Sequence, residues 1–189
     1  MPVSAIIDQG KFRGRNDDGD ETTATWKAAA NTDWSQNVDE NFRVRFLLSE
    51  TAGGNPDDTC KIQYNLASAG WVDVSASSSV VRSFASPNVA DNAATTEQMA
   101  GTGTFESGAF DEVDGGVSKT WSASRDTEHE FCMQIRSADV TNGQTLQLRC
   151  VRGGGTVYDT YTNTPTITVV EGGAPANLRR YTLTTLGIG

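Results

Sequence analysis

The chain has 189 residues, 37% of them hydrophobic, with 19 glycines and a single histidine, which is enough to bury one core without disulfides or metals. A formal charge of −9 and a pI near 4.5 exclude a surface that tracks nucleic-acid phosphates, because such a surface needs clustered Lys and Arg. No stretch approaches the roughly 20 apolar residues that cross a bilayer, and no secretory apolar core accumulates before Asp8.

Residues 1–11 read as an extended N-terminal arm, with Phe12 to Arg15 as a short strand that runs into the polar turn Asn16-Asp17-Asp18-Gly19-Asp20. Thr22 to Trp26 is rich in β-branched residues and reads as the returning strand. The alternation of Phe42-Arg43-Val44-Arg45-Phe46-Leu47-Leu48 puts apolar residues on one face and polar residues on the other, the mark of a half-buried strand. Further strands are expected near 60–66, 71–75 and 79–85, separated by Gly53-Gly54-Asn55-Pro56 and Ala69-Gly70.

Pro87 to Ala100 reads as a long loop, with Thr95 to Met99 its one candidate for a helical turn. Strands resume near 104–113, 117–123, 128–137, 145–152 and 157–170, with Pro165 marking a kink or an edge. After Gly172-Gly173-Ala174-Pro175, residues 172–189 read as a C-terminal arm whose Leu178-Arg179-Arg180-Tyr181-Thr182-Leu183 alternation suits pairing with a neighbour. The fold class is all-β, an Ig-like or jelly-roll-type antiparallel β-sandwich over residues 12–171 with extended arms at both ends.

Cys60, Cys132 and Cys150 match neither a redox pair nor a zinc knuckle. Cys60 and Cys150 fall on apolar faces and suit a core, a bridge between them staying open, whereas Cys132 alternates with Phe131 and Met133 and reads as the exposed or interface thiol. These thiols fit folding in a reducing cytoplasm.

Asn16 to Glu21 crowds four carboxylates around one glycine, so calcium is weighed against a hairpin turn whose Asp and Asn side chains bond their own backbone and whose glycine supplies a positive φ. The missing EF-hand spacing favours the turn. Asp111 to Gly116 poses the same choice with the same answer, and no metal is expected. His129 shares register with Phe131, Met133 and Ile135, which puts it at the edge of a core face. Glu128 and Glu130 read as surface acids. With no second histidine and no positioned nucleophile, acid–base and nucleophilic chemistry lack a partner, so no enzymatic activity and no cofactor are expected. Trp26, Trp34, Trp71 and Trp121 read as core anchors before a sugar-stacking platform. Gly153-Gly154-Gly155, with no lysine or helix after it, is a hairpin tip.

The segment Phe12-Arg13-Gly14-Arg15-Asn16-Asp17-Asp18-Gly19-Asp20-Glu21-Thr22-Thr23-Ala24-Thr25-Trp26 resembles the opening of a β-rich module of tailed-phage, prophage and some microbial surface proteins. Leu48 to Pro56, Ser79 to Arg82 and Tyr161 to Val169 are similar to phage structural proteins. The resemblance implies a virion setting: a capsid decoration protein on the outside of a phage head, made in the host cytoplasm, with the major capsid protein and other copies of itself as partners. Lys11, Arg13, Arg15, Arg179, Arg180, Tyr181 and Leu183 are the expected partner-binding residues, with the acidic body facing water. The alternative is a tail-fibre or cell-surface adhesin or carbohydrate-binding module.

Overall fold

The structure, a computed structural model, describes residues 3–56, 59–112 and 116–171. Two sheets pack face to face into an all-β sandwich. In the first, β1 (Ile7–Asn16) and β3 (Phe42–Glu50) run antiparallel, and β10 (Arg125–Ile135) lies antiparallel on the other side of β3. The short β12 (Thr160–Tyr161) borders β1, while β6 (Val81–Ser83), β8 (Phe110–Asp111) and β7 (Thr104–Phe105) share the far edge of β10. The second sheet runs β2 (Trp34–Asn37), β13 (Thr166–Val170), β11 (Thr145–Arg152), β4 (Thr59–Leu66), β5 (Val72–Asp73), and β9 (Gly116–Ser118) also pairs with β4.

Period-two alternation builds the core between them. Phe42, Val44, Phe46 and Leu48 of β3 and Phe131, Met133 and Ile135 of β10 face Ile62 and Tyr64 of β4, Leu146 and Leu148 of β11 and Ile167 and Val169 of β13 in one buried cluster. The register of β1 against β3 shifts between Gln9 and Lys11. This bulge at Gly10 lets Ile7 and Gln9, then Phe12 and Gly14, point inward on either side of it.

Gly14 is small because it must be. The Trp34 ring lies across it, and a Cβ there would stand 2.8 Å from the ring carbons. Gly14→Ala should therefore overpack the core and cost about 1–3 kcal/mol, read as a lowered urea midpoint with an unchanged slope.

Several expected elements differ. The N-terminal arm is shorter than expected, since the chain joins the sheet at Ile7, whose side chain is fully buried. Thr22 to Trp26 does not return as a strand: the Asp18 and Asp20 carboxylates take the backbone N–H groups of Thr22, Thr23 and Thr25, and only Trp26 bridges to Arg15. Such local bonding competes with a ladder. The 104–113 strand divides into β7 and β8, and the 157–170 strand divides into β12 and β13 at Pro165. Thr95 to Met99 forms no helical turn, but Pro87 to Ala100 is the long loop expected. The C-terminal arm, with Arg179, Arg180, Tyr181 and Leu183, lies outside the described residues.

Candidate functional site

The outward face of the first sheet holds the greatest concentration of chemistry among the described residues. Alternation along β1 sends Lys11, Arg13 and Arg15 outward, and β3 sends out Arg43 and Arg45. Register sets Arg13 opposite Arg45 and Arg15 opposite Arg43. Like charges so placed repel. The opposing sign comes from the other side of β3, where Glu130 of β10 lies opposite Arg45 and Glu128 follows two residues away on the same face.

This face is not open to water. The turn after β1 and the excursion of residues 84–112 close over it, and Arg15, Arg43, Arg45, Glu128 and Glu130 are all fully buried. Glu130 Oε2 lies 2.6 Å from Arg45 Nε and 3.3 Å from Arg15 Nη1, while its Oε1 lies 3.1 Å from Arg43 Nη1. Arg45 Nη1 donates to Glu128 Oε2 at 2.9 Å, and its Nη2 to Glu21 Oε1 at 2.6 Å. Asp17 Oδ1 stands 3.2 Å from Arg43 Nε.

The same carboxylates hold the covering loop. Glu128 Oε1 accepts from Gln98 N and Met99 N, Glu21 Oε1 accepts from Thr96 N, and Arg45 Nη1 donates to Thr96 O. Burial alone would lower the Arg45 pKa, but Glu130, Glu21 and Glu128 outweigh it and hold the guanidinium charged beyond its ordinary range. Burial pushes Glu128 up against the pull of Arg45. The cluster acts as a clamp: its charges are paired with one another and with backbone groups, and it presents no exposed acid, base or nucleophile.

Three partner-binding residues expected from sequence lie on β1, and their fates differ. Arg15 is fully buried, and its Nε and Nη1 donate to Ala24 O and Glu21 O. Lys11 and Arg13 are half-buried. Lys11 Nζ donates to Ala100 O at 2.6 Å, and Arg13 Nε to Ala28 O at 2.8 Å with its guanidinium 4.3 Å from the Trp26 ring.

Glu128 and Glu130 are corrected from surface acids to buried ones. Two signals in the sequence point to them: cationic residues alternating on β3 opposite anionic residues alternating on β10, and an insertion between β6 and β10 long enough to cover a sheet face. Cys132 is corrected from an exposed thiol to a sealed one. It packs with Val89 and Phe110 beneath the same cover, and burial first, then Asp17, raises its pKa far above the thiol range.

His129 sits deeper than the core edge. It is fully buried, Nδ1 accepts from Ala109 N at 3.2 Å, and the Trp121 ring meets it edge-on at 5.9 Å. Burial lowers its pKa to about 4, so the ring is neutral at pH 7. Trp34 and Trp121 are core anchors; Trp26 and Trp71 are half-buried, each with a guanidinium over its ring, that of Arg149 lying 4.1 Å from Trp71.

The acidic turn bonds itself as expected, but it leads into no returning strand and Gly19 does not take a positive φ. Asp20 Oδ1 accepts from the N–H and hydroxyl groups of Thr22 and Thr23, and Asp18 accepts from Thr25 N and Oγ1. The Thr23 hydroxyl, then the Thr22 and Thr23 amides, hold Asp20 well below the usual carboxylate range. Gly19 serves close approach, since a Cβ there would stand 2.8 Å from Ala24 N. With these oxygens already engaged, EDTA should leave the melting temperature unmoved; a fall of several degrees on chelation, restored by calcium, would contradict the turn reading. Of the second acidic stretch, residues 113–115 lie outside the described residues.

Comparison of the chain with protein-family models, with curated proteins and with solved structures returns no match.

Proposed function

We propose that this protein is a structural component of a virion, a decoration protein that binds the outer surface of a tailed-phage head, contacts the major capsid protein and neighbouring copies of itself, and has no catalytic role. The observation that carries this reading is the direction of its charges. Arg15, Arg43 and Arg45 are drawn inside together with Glu128 and Glu130, which neutralise them there, and the chain as a whole keeps an acidic balance of −9.

Of the basic residues expected to meet a partner, Lys11 and Arg13 on β1 take no part in that cluster, and Arg179 and Arg180 lie outside the described residues. An acidic body keeps particles apart, and a few basic contacts repeated over a symmetric lattice sum to firm attachment. The phage-like segment from Phe12 to Trp26 supports the structural role as well. Within it Arg15 donates to Glu21 O and Arg13 lies over the Trp26 ring, and Glu21 Oε1 accepts from Thr96 N of the covering loop.

The test is binding of the purified chain to heads that lack it. Deleting residues 172–189, or replacing Arg179 and Arg180 with Ala, should weaken attachment at least tenfold and leave the melting temperature unchanged. Undiminished binding by both variants would overturn the role of the terminal segment. Binding to glycans in place of heads would overturn the decoration reading.

A further inference from the structure

Alternation along β11 sends Leu146, Leu148 and Cys150 into the core and turns Gln147 and Arg149 to the outer face of the second sheet. This face differs from its counterpart. The outward arginines of the first sheet are sealed, whereas here Gln147 and Arg149 are half-buried, and Thr168 of β13 and Asp73 of β5 are exposed.

The register sets Arg149 opposite Gln63 of β4, and Gln63 opposite Asp73. Arg149 Nε and Nη2 both donate to Gln63 Oε1, at 3.0 and 2.8 Å, and Gln63 Nε2 donates to Asp73 Oδ1 at 2.7 Å. The acid of this row is thus held by the glutamine. Two rings set the plane of the guanidinium, whose central carbon lies 4.1 Å from the centre of the Trp71 ring and 5.7 Å from that of Tyr161. Tyr161 is itself fixed, its hydroxyl donating to Cys150 O at 2.6 Å.

A guanidinium has five N–H groups, and Gln63 takes one from Nε and one from Nη2. The remainder form the terminal fork, both N–H groups of Nη1 beside the second of Nη2. Among the described residues no carboxylate pairs with Arg149, although Arg15, Arg43, Arg45, Arg136 and Arg152 each have one. Nη1 has no hydrogen-bond partner there and is not sealed from water.

We propose that this fork anchors one copy of the chain on another, taking end-on the carboxylate of an acidic side chain of the neighbouring copy. The fork matches a carboxylate in two parallel hydrogen bonds, which an ammonium cannot do. Gln63, Trp71 and Tyr161 already hold the guanidinium, so little side-chain freedom is lost on docking. Trp, Tyr and Arg are also the residues on which binding energy concentrates at interfaces. A second copy supplies the complement, since the chain carries 24 Asp and Glu against 15 Lys and Arg. The contact between copies rests on the functional reading above. Its test uses the purified chain without heads, so its failure and a failure of head attachment are separate results.

Sedimentation velocity of the whole chain over a concentration series should show reversible self-association that weakens as salt is raised. Arg149→Gln should weaken it at least tenfold and leave the melting temperature unchanged. Arg149→Lys keeps the charge and loses the fork, so it should weaken association nearly as much; association equal to that of the native chain would assign the contact to charge alone and overturn the proposal. A chain that stays monomeric up to about 1 mM, where even weak contacts populate, or one whose association ignores both substitutions, overturns it as well. Loss of head attachment or of acidic-oligosaccharide binding by Arg149→Gln, in a chain that never self-associates, would give the fork to another partner and overturn it too.

Discussion

Replacing Glu130 with Ala should destabilise the protein by about 3–5 kcal/mol, the range for removing one partner of a buried charge pair. The carboxylate stands within 3.3 Å of guanidinium nitrogens of Arg15, Arg43 and Arg45, and all four side chains are sealed from water. Without it, three cations on neighbouring strands remain buried with Glu128, Glu21 and Asp17 alone to oppose them. A small domain has only about 5–15 kcal/mol in total, so the variant should sit close to its unfolding threshold. Guanidinium chloride denaturation reads the loss directly. A cost below about 1 kcal/mol, the size of an exposed pair, would mean that the cover over this face opens readily to water.

Glu50→Gln should cost about 2–3 kcal/mol at pH 7, the range for hydrogen bonds to a charged group. Glu50 ends β3 at one end of the sandwich and is almost fully buried. Its two oxygens accept backbone N–H groups from Ile6, Ala52, Gly53, Gly54 and Ser124, so one carboxylate ties the N-terminal segment to two loops. A glutamine places an NH₂ group where only donors converge. Burial works to raise the Glu50 pKa, but the N–H groups of Ser124, Ala52, Ile6 and Gly53 prevail and lower it from 4.5 to about 2.

The sign of the pH effect follows from that shift. The folded state favours the ionised form, so Glu50 contributes its full stabilisation above the unfolded-state value of 4.5 and loses it as pH falls through about 2. Unfolding measured at pH 7 and at pH 3 should show the gap between the native chain and Glu50→Gln narrowing at the lower pH. A gap independent of pH would assign the loss to packing.

The core was legible because it rests on alternation. Phe42 to Leu48 and Cys60 to Leu66 carry one apolar and one polar face, and the observed strands β3 and β4 place those faces as the pattern requires. The Asp18 and Asp20 turn was legible for a local reason, since short acidic side chains bond backbone two or three residues away. The charged face was not, because Arg43, Arg45, Glu128 and Glu130 occupy the positions that face solvent in a sandwich with bare outer faces. The insertion between β6 and β10 and the turn after β1 bury them, and that is a tertiary event. Cys132 shares the same face and was misplaced for the same reason. β2 escaped notice because Trp34-Ser35-Gln36-Asn37 carries little strand preference of its own; parallel pairing with β13 holds it extended.

The measurement that bears most directly on the functional account is the copy number of this chain in purified particles, by quantitative mass spectrometry against the major shell subunit. The account predicts a ratio near one or a simple fraction of it, as a lattice-wide decoration requires. A handful of copies per particle would move the protein to a tail or fibre, and complete absence from particles would contradict the virion reading outright.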